Sequence, residues 1–243
     1  IREPERVRKL LQGSANLEFW ETFNSDEIVP YLVQLDQRLA NGETTADTTA
    51  VADTAKVAKA AEPKLELNAN KKGNAKLNVT DEAKIAEAKR AHPLLSMLQT
   101  TGNGALALVG FASVRDTAEI NKAIYSATAK QVLPSDLKLM WSAKPEDGIK
   151  AKNVYGLYAI KVTTANGRAP LEGDVITDAK DQFNSVTGAP EVGMTMNTEG
   201  SRRWAALTKA NTGKAIAIVL DGVVYSAPRV NGEIDGGQSS ISG

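Results

Sequence analysis

The chain has no cysteine and a single histidine, His92. Without cysteine there are no disulfides, no zinc–thiolate sites and no thiol nucleophile. One histidine cannot supply a two-histidine zinc site, and any Ser-His-Asp arrangement would have to rest on it alone. His92 is followed by Pro93 in a segment poor in other polar groups, which reads as a structural or solvated position. Aromatic residues make up only 5% of the chain, so each one is worth locating. No run of about eighteen apolar residues occurs, and no segment therefore reads as a membrane-crossing helix. Charge is equally unbiased. Basic and acidic residues number 29 each, and no basic stripe of the kind nucleic-acid binders carry is present. The lack of cysteine fits the bacterial periplasm as well as the cytosol. A chain that starts at Ile1 and stops after a strand-like segment is expected to be a piece of a longer protein.

With 243 residues the chain is long enough for one large domain or two small ones. Pro4, the Val7/Leu10/Leu11 face and Gly13 predict a short amphipathic helix. Ala15 to Phe23 alternates as a strand, with Leu17, Phe19 and Phe23 on one side and Trp20 on the other. A helix is expected over Ser25 to Leu39. From Ala40 to Val79 no aromatic residue occurs, and the Ala/Thr/Asp/Asn/Lys composition predicts an exposed, low-complexity insertion, with Ala52 to Ala61 its most helical part. Thr80 can cap a helix to about Arg90. Gly104 to Ala112 reads as a buried strand. Asp116 and Glu119 have capping-box spacing ahead of an Ile120/Ala123/Ile124/Ala127 stripe that runs out near Pro134. Strands follow at Leu137 to Ala143 and Val154 to Thr163. Asp178 to Asn184 reads as a short helix, Val192, Met194 and Met196 as one face of a strand, and Thr198 as the cap of a helix carrying Trp204, Leu207 and Asn211, closed by Gly213.

Little of this carries chemistry. Asp174, Asp178 and Asp181 form a local acidic cluster that could ligate a hard cation, but their spacing matches no calcium loop. Carboxylates at a helix start are the plainer explanation. Gly213-Lys214 is followed by Ala215, so no phosphate-binding loop exists. No pair of carboxylates stands out for glycoside hydrolysis. No metal, cofactor or catalytic residue is expected, and the chain does not read as an enzyme. Trp20, on the face opposite Leu17 and Phe19, must pack on another layer or meet a partner, the first being the plainer choice. With Phe111 and Tyr125 it makes up the candidate interaction surface.

The most readable segment is the last, KAIAIVLDGVVYSAPRVNGEIDGGQSSISG from Lys214 to Gly243. Ala215 to Leu220 is an apolar β-branched run, Asp221-Gly222 has the chemistry of a type I′ turn, and Val223 to Ala227 returns. Ser226-Ala227-Pro228 ends the ladder, since proline has no N–H to donate. Gly236-Gly237 marks a bend before a last extended segment around Ile234 and Ile241. This string resembles the signature of the SecD and SecDF family of bacterial protein-export subunits. Two further blocks resemble it in family order: EPERVRKLLQGSANLEF from Glu3 to Phe19, and the stretch from Leu171 to Leu220 that contains GDVITDA and PEVGMTMNTEGSRRWAALTKANTG. The middle, from Asn24 to about Asn153, resembles the short family members poorly and looks like a lineage-specific enlargement of the fused SecDF type.

The resemblance implies an α+β fold with a ferredoxin-like, split β-α-β base, an inserted smaller α+β head region and the exposed low-complexity segment. Residues 1–36 and 154–243 would form the base, and 37–153, including 40–79, the head. It implies a domain on the periplasmic side of the bacterial inner membrane, working beside the SecY channel and the SecF part. There it would contact an emerging unfolded preprotein and help proton-motive-force-driven translocation. Asp221, Gly222, Ser226, Pro228, Gly236 and Gly237 would be structural, the glycine pair serving as a hinge. Two alternatives are a docking domain of a related RND-type exporter for small molecules or lipids, and a secreted adhesive or hydrolytic domain.

Overall fold

A computed structural model of the chain describes residues 16–42, 87–102, 106–146, 153–183, 188 and 190–242. The helix expected near Pro4, nearly all of the 40–79 stretch and the start of the helix expected from Thr80 lie outside these residues. The helix that enters the described part ends at Ala91.

Strand β1 (Leu17–Thr22) is the centre of the molecule. On one side it pairs antiparallel with β9 (Ile216–Leu220), and on the other, at Glu21 and Thr22, with β5 (Val154–Lys161). Outward from β9 lies β10 (Val223–Ser226), and outward from β5 lie β3 (Leu108–Ser113) and the two-residue β2 (Gln99–Thr100). The other edge of β5 carries β4 (Leu137–Trp141), and the short β6 (Leu171–Glu172) pairs with β1. These make one antiparallel eight-stranded sheet. It curls until the end of β4 meets β10, where Ala143 N donates to Val224 O at 2.7 Å. A second, three-stranded sheet has the order β11 (Gln238–Ser242), β8 (Pro190–Met196), β7 (Ile176–Phe183).

The curl explains why β1 is buried on both faces. Leu17 and Phe19 pack with Trp204, Leu207, Met194, Met196 and the isoleucines of β9. Trp20 faces the inside of the curl, against Met140, Ile160, Ala217, Val219 and Val224. It is 1% exposed, with its indole N–H on Glu18 Oε2 at 2.8 Å and Lys138 Nζ 5.3 Å from the ring centroid. Trp20 is therefore not part of an interaction surface. The other layer it had to meet is its own sheet rolled over.

Three helices cover the β3–β5 side. Helix α1 (Ser25–Ala40) places Ile28, Leu32 and Leu35 in a core shared with Val109, Leu139 and Leu157. Its start is fixed by Glu27, whose Oε2 accepts from Asn24 N at 2.8 Å. The helix expected after Asp116 is two: α2 (Thr117–Ile124) and α3 (Ala127–Val132). Ser126 makes the break, because its Oγ accepts from Ala129 N at 3.0 Å and caps α3. Asp116 stands at the start of α2 without a side-chain capping bond, so the expected capping box does not form.

Two further expectations change. Residues 178–183 are strand β7, not helix. Asp178 to Phe183 pair in register with Thr195 to Pro190 of β8, and Gly193 leaves room there for the Gln182 side chain, which a Cβ would meet at 2.7 Å. A strand partner overrides weak local helix propensity. The carboxylates of Asp178 and Asp181 consequently sit on a strand, with Asp178 paired to Lys180 at 2.8 Å. Second, Met194 and Met196 do not join the sheet that holds the C-terminal hairpin, as a single split base sheet requires. They lie in the second sheet, and helix α4 (Thr198–Ala210) carries the chain from that sheet to β9.

Candidate functional site

Helix α4 begins one residue earlier than the Thr198 cap implied. Asn197 is the cap, its Oδ1 accepting from Gly200 N at 2.8 Å. Gly200 is needed because a Cβ there would lie 2.6 Å from Val175 Cβ, so the first turn of α4 rests directly on the segment after β6. Trp204 then points into the core, edge-on to Phe19 with ring centroids 5.2 Å apart. The far end is closed by Asn211, whose Nδ2 donates to Leu207 O at 2.9 Å.

The hairpin turn has the predicted geometry, with φ of 51° at Asp221 and 81° at Gly222. Asp221 also does something its turn chemistry does not announce. Its Oδ1 accepts from Asn16 N at 2.9 Å, and its own N donates to Asn16 O at 3.2 Å, hooking the turn to the start of β1. Strand β10 ends at Ser226, where its register with β9 shifts past Tyr225. Pro228, however, interrupts the ladder without ending it. Its carbonyl accepts from Ile216 N at 3.2 Å, and Val230 N returns to Lys214 O at 2.8 Å. The chain then bends at Gly236 and Gly237, both at positive φ, and enters β11 against β8. Gly237 O accepts from Met196 N at 2.8 Å.

This path leaves a gap between the two sheets, a cavity of about 360 Å³. Ile216 and Ile218 of β9, Ile241 of β11, Val230 and Ile234 make its apolar walls, with Trp204 of α4 beside them. Arg229, Asn231, Glu233 and Ser240 supply polar groups, and Arg229 and Glu233 bring one charge of each sign. Two of the lining residues, Trp204 and Ser239, each carry a side-chain polar atom that is buried away from the cavity and has no protein partner, the indole Nε1 and the hydroxyl Oγ. A concavity with apolar walls and a few polar groups is the usual form of a binding site.

Of the residues singled out from sequence, Pro228 alone lines this cavity. Asp221, Gly222 and Ser226 build the hairpin behind it, and Gly236 and Gly237 steer β11 along it. Phe111 is half-buried on β3, opposite Gln99 and Gly156. Tyr125 is 58% exposed and donates its hydroxyl to Leu139 O at 2.9 Å. Neither of these aromatics reaches the cavity. Trp204 reads as ordinary core in the sequence, and Ser239 is one of several serines near the C-terminus, so no local signal marks either. His92 is half of a clasp, with Nδ1 2.8 Å from Oδ2 of the buried Asp36, whose Oδ1 accepts from Leu94 N and Leu95 N. Among the described residues no group of three or more His, Asp or Glu is placed to hold a metal ion. Burial, with Glu146 beside it, holds the Tyr158 phenol well above its usual range.

Residues 156–243 match a family model described as SecDF, P1 head subdomain. The whole chain is 39% identical to protein translocase subunit SecD of Rhodothermus marinus, over 249 aligned positions. The chain belongs to the SecD and SecDF family. It spans 36% of that relative's length. SecD of Desulfurispirillum indicum is 46% identical over 29% of this chain and 14% of its own length. SecDF of Thermus thermophilus is 42% identical over 30% of this chain and 10% of its own. A crystal structure of SecDF from Thermus thermophilus, described as translocon-associated, aligns over 98% of this chain and 18% of its own at 22% identity. Its TM-score is 0.32, so the topology of the present chain is read from its own strand pairings. The family description gives residues 156–243 to a head subdomain, whereas the sequence resemblance implied a base there.

Proposed function

We propose that this chain is an extracytoplasmic domain of a Sec translocation subunit, on the periplasmic side of the bacterial inner membrane, and that the cavity between its two sheets holds part of an emerging unfolded preprotein. The observation that carries this reading is the cavity itself. It has apolar walls, polar groups from Arg229, Asn231, Glu233 and Ser240, and a rim formed by the family-signature segment from Pro228 to Ile241. Drawing a chain outward requires a surface that takes many sequences, and an apolar chamber beside strand β11 suits that better than a deep, charge-matched pocket. Proton-motive force, the SecY channel and the SecF part enter this reading as the setting in which such a domain works. The exporter and hydrolase alternatives are not favoured, because the relatives named above are SecD and SecDF subunits.

The eight-stranded sheet with α1–α3 would serve as one working part, and the second sheet with α4 as the other. Of the two hinge glycines, a Cβ at Gly237 would lie 3.2 Å from the Ser201 side chain, while a Cβ at Gly236 would meet nothing within 4 Å. The hinge therefore falls on Gly236.

Photo-crosslinking to a stalled preprotein tests the contact. A benzoylphenylalanine at Asn231 or Ser240, on the cavity rim, should crosslink to the preprotein. The same probe at Lys122, exposed on α2, should not. Absence of crosslinks from both rim positions would remove the direct-contact mechanism.

A further inference from the structure

The outer strand of a sheet presents unpaired N–H and C=O groups from every second residue, a standing invitation to another strand. Among the described residues, the outer strands of the two sheets are blunted in every case but one. The end of β4 closes on β10, where Ala143 N donates to Val224 O. Strands β2 and β6 are only two residues long. In the second sheet, outer strand β7 carries Asp178, Lys180 and Asp181, charges of the kind that discourage a further strand. The other outer strand is β11. Its sequence, QSSIS, holds no charge, and among the described residues no strand pairs with its second edge.

That edge runs along the cavity. Ser239, Ser240 and Ile241 all line it. Successive side chains of a strand point to opposite faces, so three consecutive residues border one space only where it follows the strand's edge. Neighbours fix the two faces of β11. Ile241 packs against the core that holds Met194 and Ile216, whereas Ser240 Oγ lies on the other face and donates to Glu191 Oε2 at 2.5 Å. Because β8 occupies one edge of β11, the edge along the cavity is the free one. Beside it stand Ile216 and Ile218 of β9, on the side that Ile241 faces. Arg229 and Glu233, one charge of each sign, favour neither an acidic nor a basic occupant.

We infer that β11 is a strand-addition site: an extended polypeptide segment pairs with its free edge and turns alternate side chains into the isoleucine-lined cavity. This rests on the reading that the cavity takes an unfolded chain, and it adds how such a chain is held. The hydrogen bonds come from the occupant's backbone, so the grip is common to all sequences. Selection falls on every second residue, those that share the face of Ile241 and enter the cavity. The residues between them lie on the Ser240 face and are free to be polar or charged. A five-residue segment matching Gln238–Ser242 spans about 17 Å. The competing occupant is the same edge of a second copy of this chain.

Backbone methylation of a ligand separates these. The 243-residue chain is titrated with a lysine-flanked peptide of alternating Leu and Thr, and with versions N-methylated on every Leu, on every Thr, or on both. Each methyl group removes a donor and blocks one edge of the peptide while every side chain stays in place. The peptide with both edges blocked should bind about tenfold or more weakly than the parent, as loss of two or more hydrogen bonds does. At least one of the versions blocked on a single edge should bind as the parent does. In the ¹⁵N-labelled chain the parent peptide should slow solvent exchange of alternate amides within Gln238–Ser242 and leave those of β7 unchanged. Undiminished binding of the fully methylated peptide, tenfold loss in both single-edge versions, or protection of β7 in place of β11 overturns strand addition and leaves the cavity as a side-chain pocket. No binding of the parent peptide overturns the unfolded-chain reading itself. A dimer in sedimentation velocity whose β11 amides are already protected without peptide gives the edge to a second copy, which overturns the peptide role.

Discussion

The two halves of this molecule treat their buried polar groups differently. On the side covered by α1, α2 and α3, Asp36 is buried at 1% exposure and is fully engaged by His92, Leu94 and Leu95. Trp141 reaches Asn121, and Tyr125 reaches Leu139 O. On the side covered by α4, the buried Thr208 and Asn211 are bonded in the same way, but the Trp204 indole N–H and the Ser239 hydroxyl make no such bonds. Asn24 Oδ1, at the mouth of α1, is the one other buried side-chain atom without a partner among the described residues. A buried polar group left unbonded costs the half that holds it stability, and the α4 half holds two of these three.

Four substitutions strain that contrast, taken from the largest effect to the smallest. Asp36→Leu should be the most damaging, because it strands the Leu94 and Leu95 N–H groups inside the core. A loss of about 3 kcal/mol is expected, measured by urea unfolding. A loss under about 1 kcal/mol would mean that the helix-covered half does not depend on its closed hydrogen bonds. Next come the matched pair Trp141→Phe and Trp204→Phe. Both remove the same atoms, but only the first breaks a protein hydrogen bond. Trp141→Phe should cost about 1 kcal/mol more than Trp204→Phe in the unliganded chain. Equal costs would erase the distinction between the halves.

The smallest effect appears only in alkali. The Tyr158 phenol is raised by burial first and then by the Glu146 charge, and its hydroxyl donates to Glu146 Oε1 at 3.0 Å. An unfolded chain releases that proton near pH 10, while the folded chain keeps it. Above pH 10 the unfolded state therefore binds fewer protons, and stability falls as pH rises. Tyr158→Phe should lose little at pH 7 and should flatten part of the decline between pH 10 and pH 11.5. Parallel wild-type and variant curves over that interval would show that Tyr158 is not held in its neutral form.

Local chemistry was legible in the sequence wherever the cause was local. Asp221-Gly222 adopts its turn because two successive positive φ angles suit those two residues, and β1 was readable from the alternation in LEFWET. What could not be read is what depends on partners far along the chain. Strand β8 pairs with β11, whose residues come more than forty positions later, and no periodicity in PEVGMTM distinguishes one sheet from the other. The layer that Trp20 packs on could not be named from sequence, because alternation assigns two faces without saying that the sheet rolls up and buries both. The ITDAKDQF segment looked helical until Gly193 of β8 offered it an edge. The cavity was illegible for the same reason. An unpaired indole N–H is defined by what fails to arrive next to it, and sequence records only what is present.

The hook between Asn16 and Asp221 joins residues 205 positions apart. Every partner of β1 in the sheet likewise comes late: β5, β6 and β9 all follow residue 153. A chain that emerges amino end first thus holds its central strand without these partners until β5 has followed, and its β9 edge open until nearly all of the domain has. Such long-range closure is slow to find, since the entropy of the intervening loop must be overcome before any contact repays it. The domain's own assembly leaves an apolar strand waiting in the open, and the last hairpin to arrive is the one that shelters it.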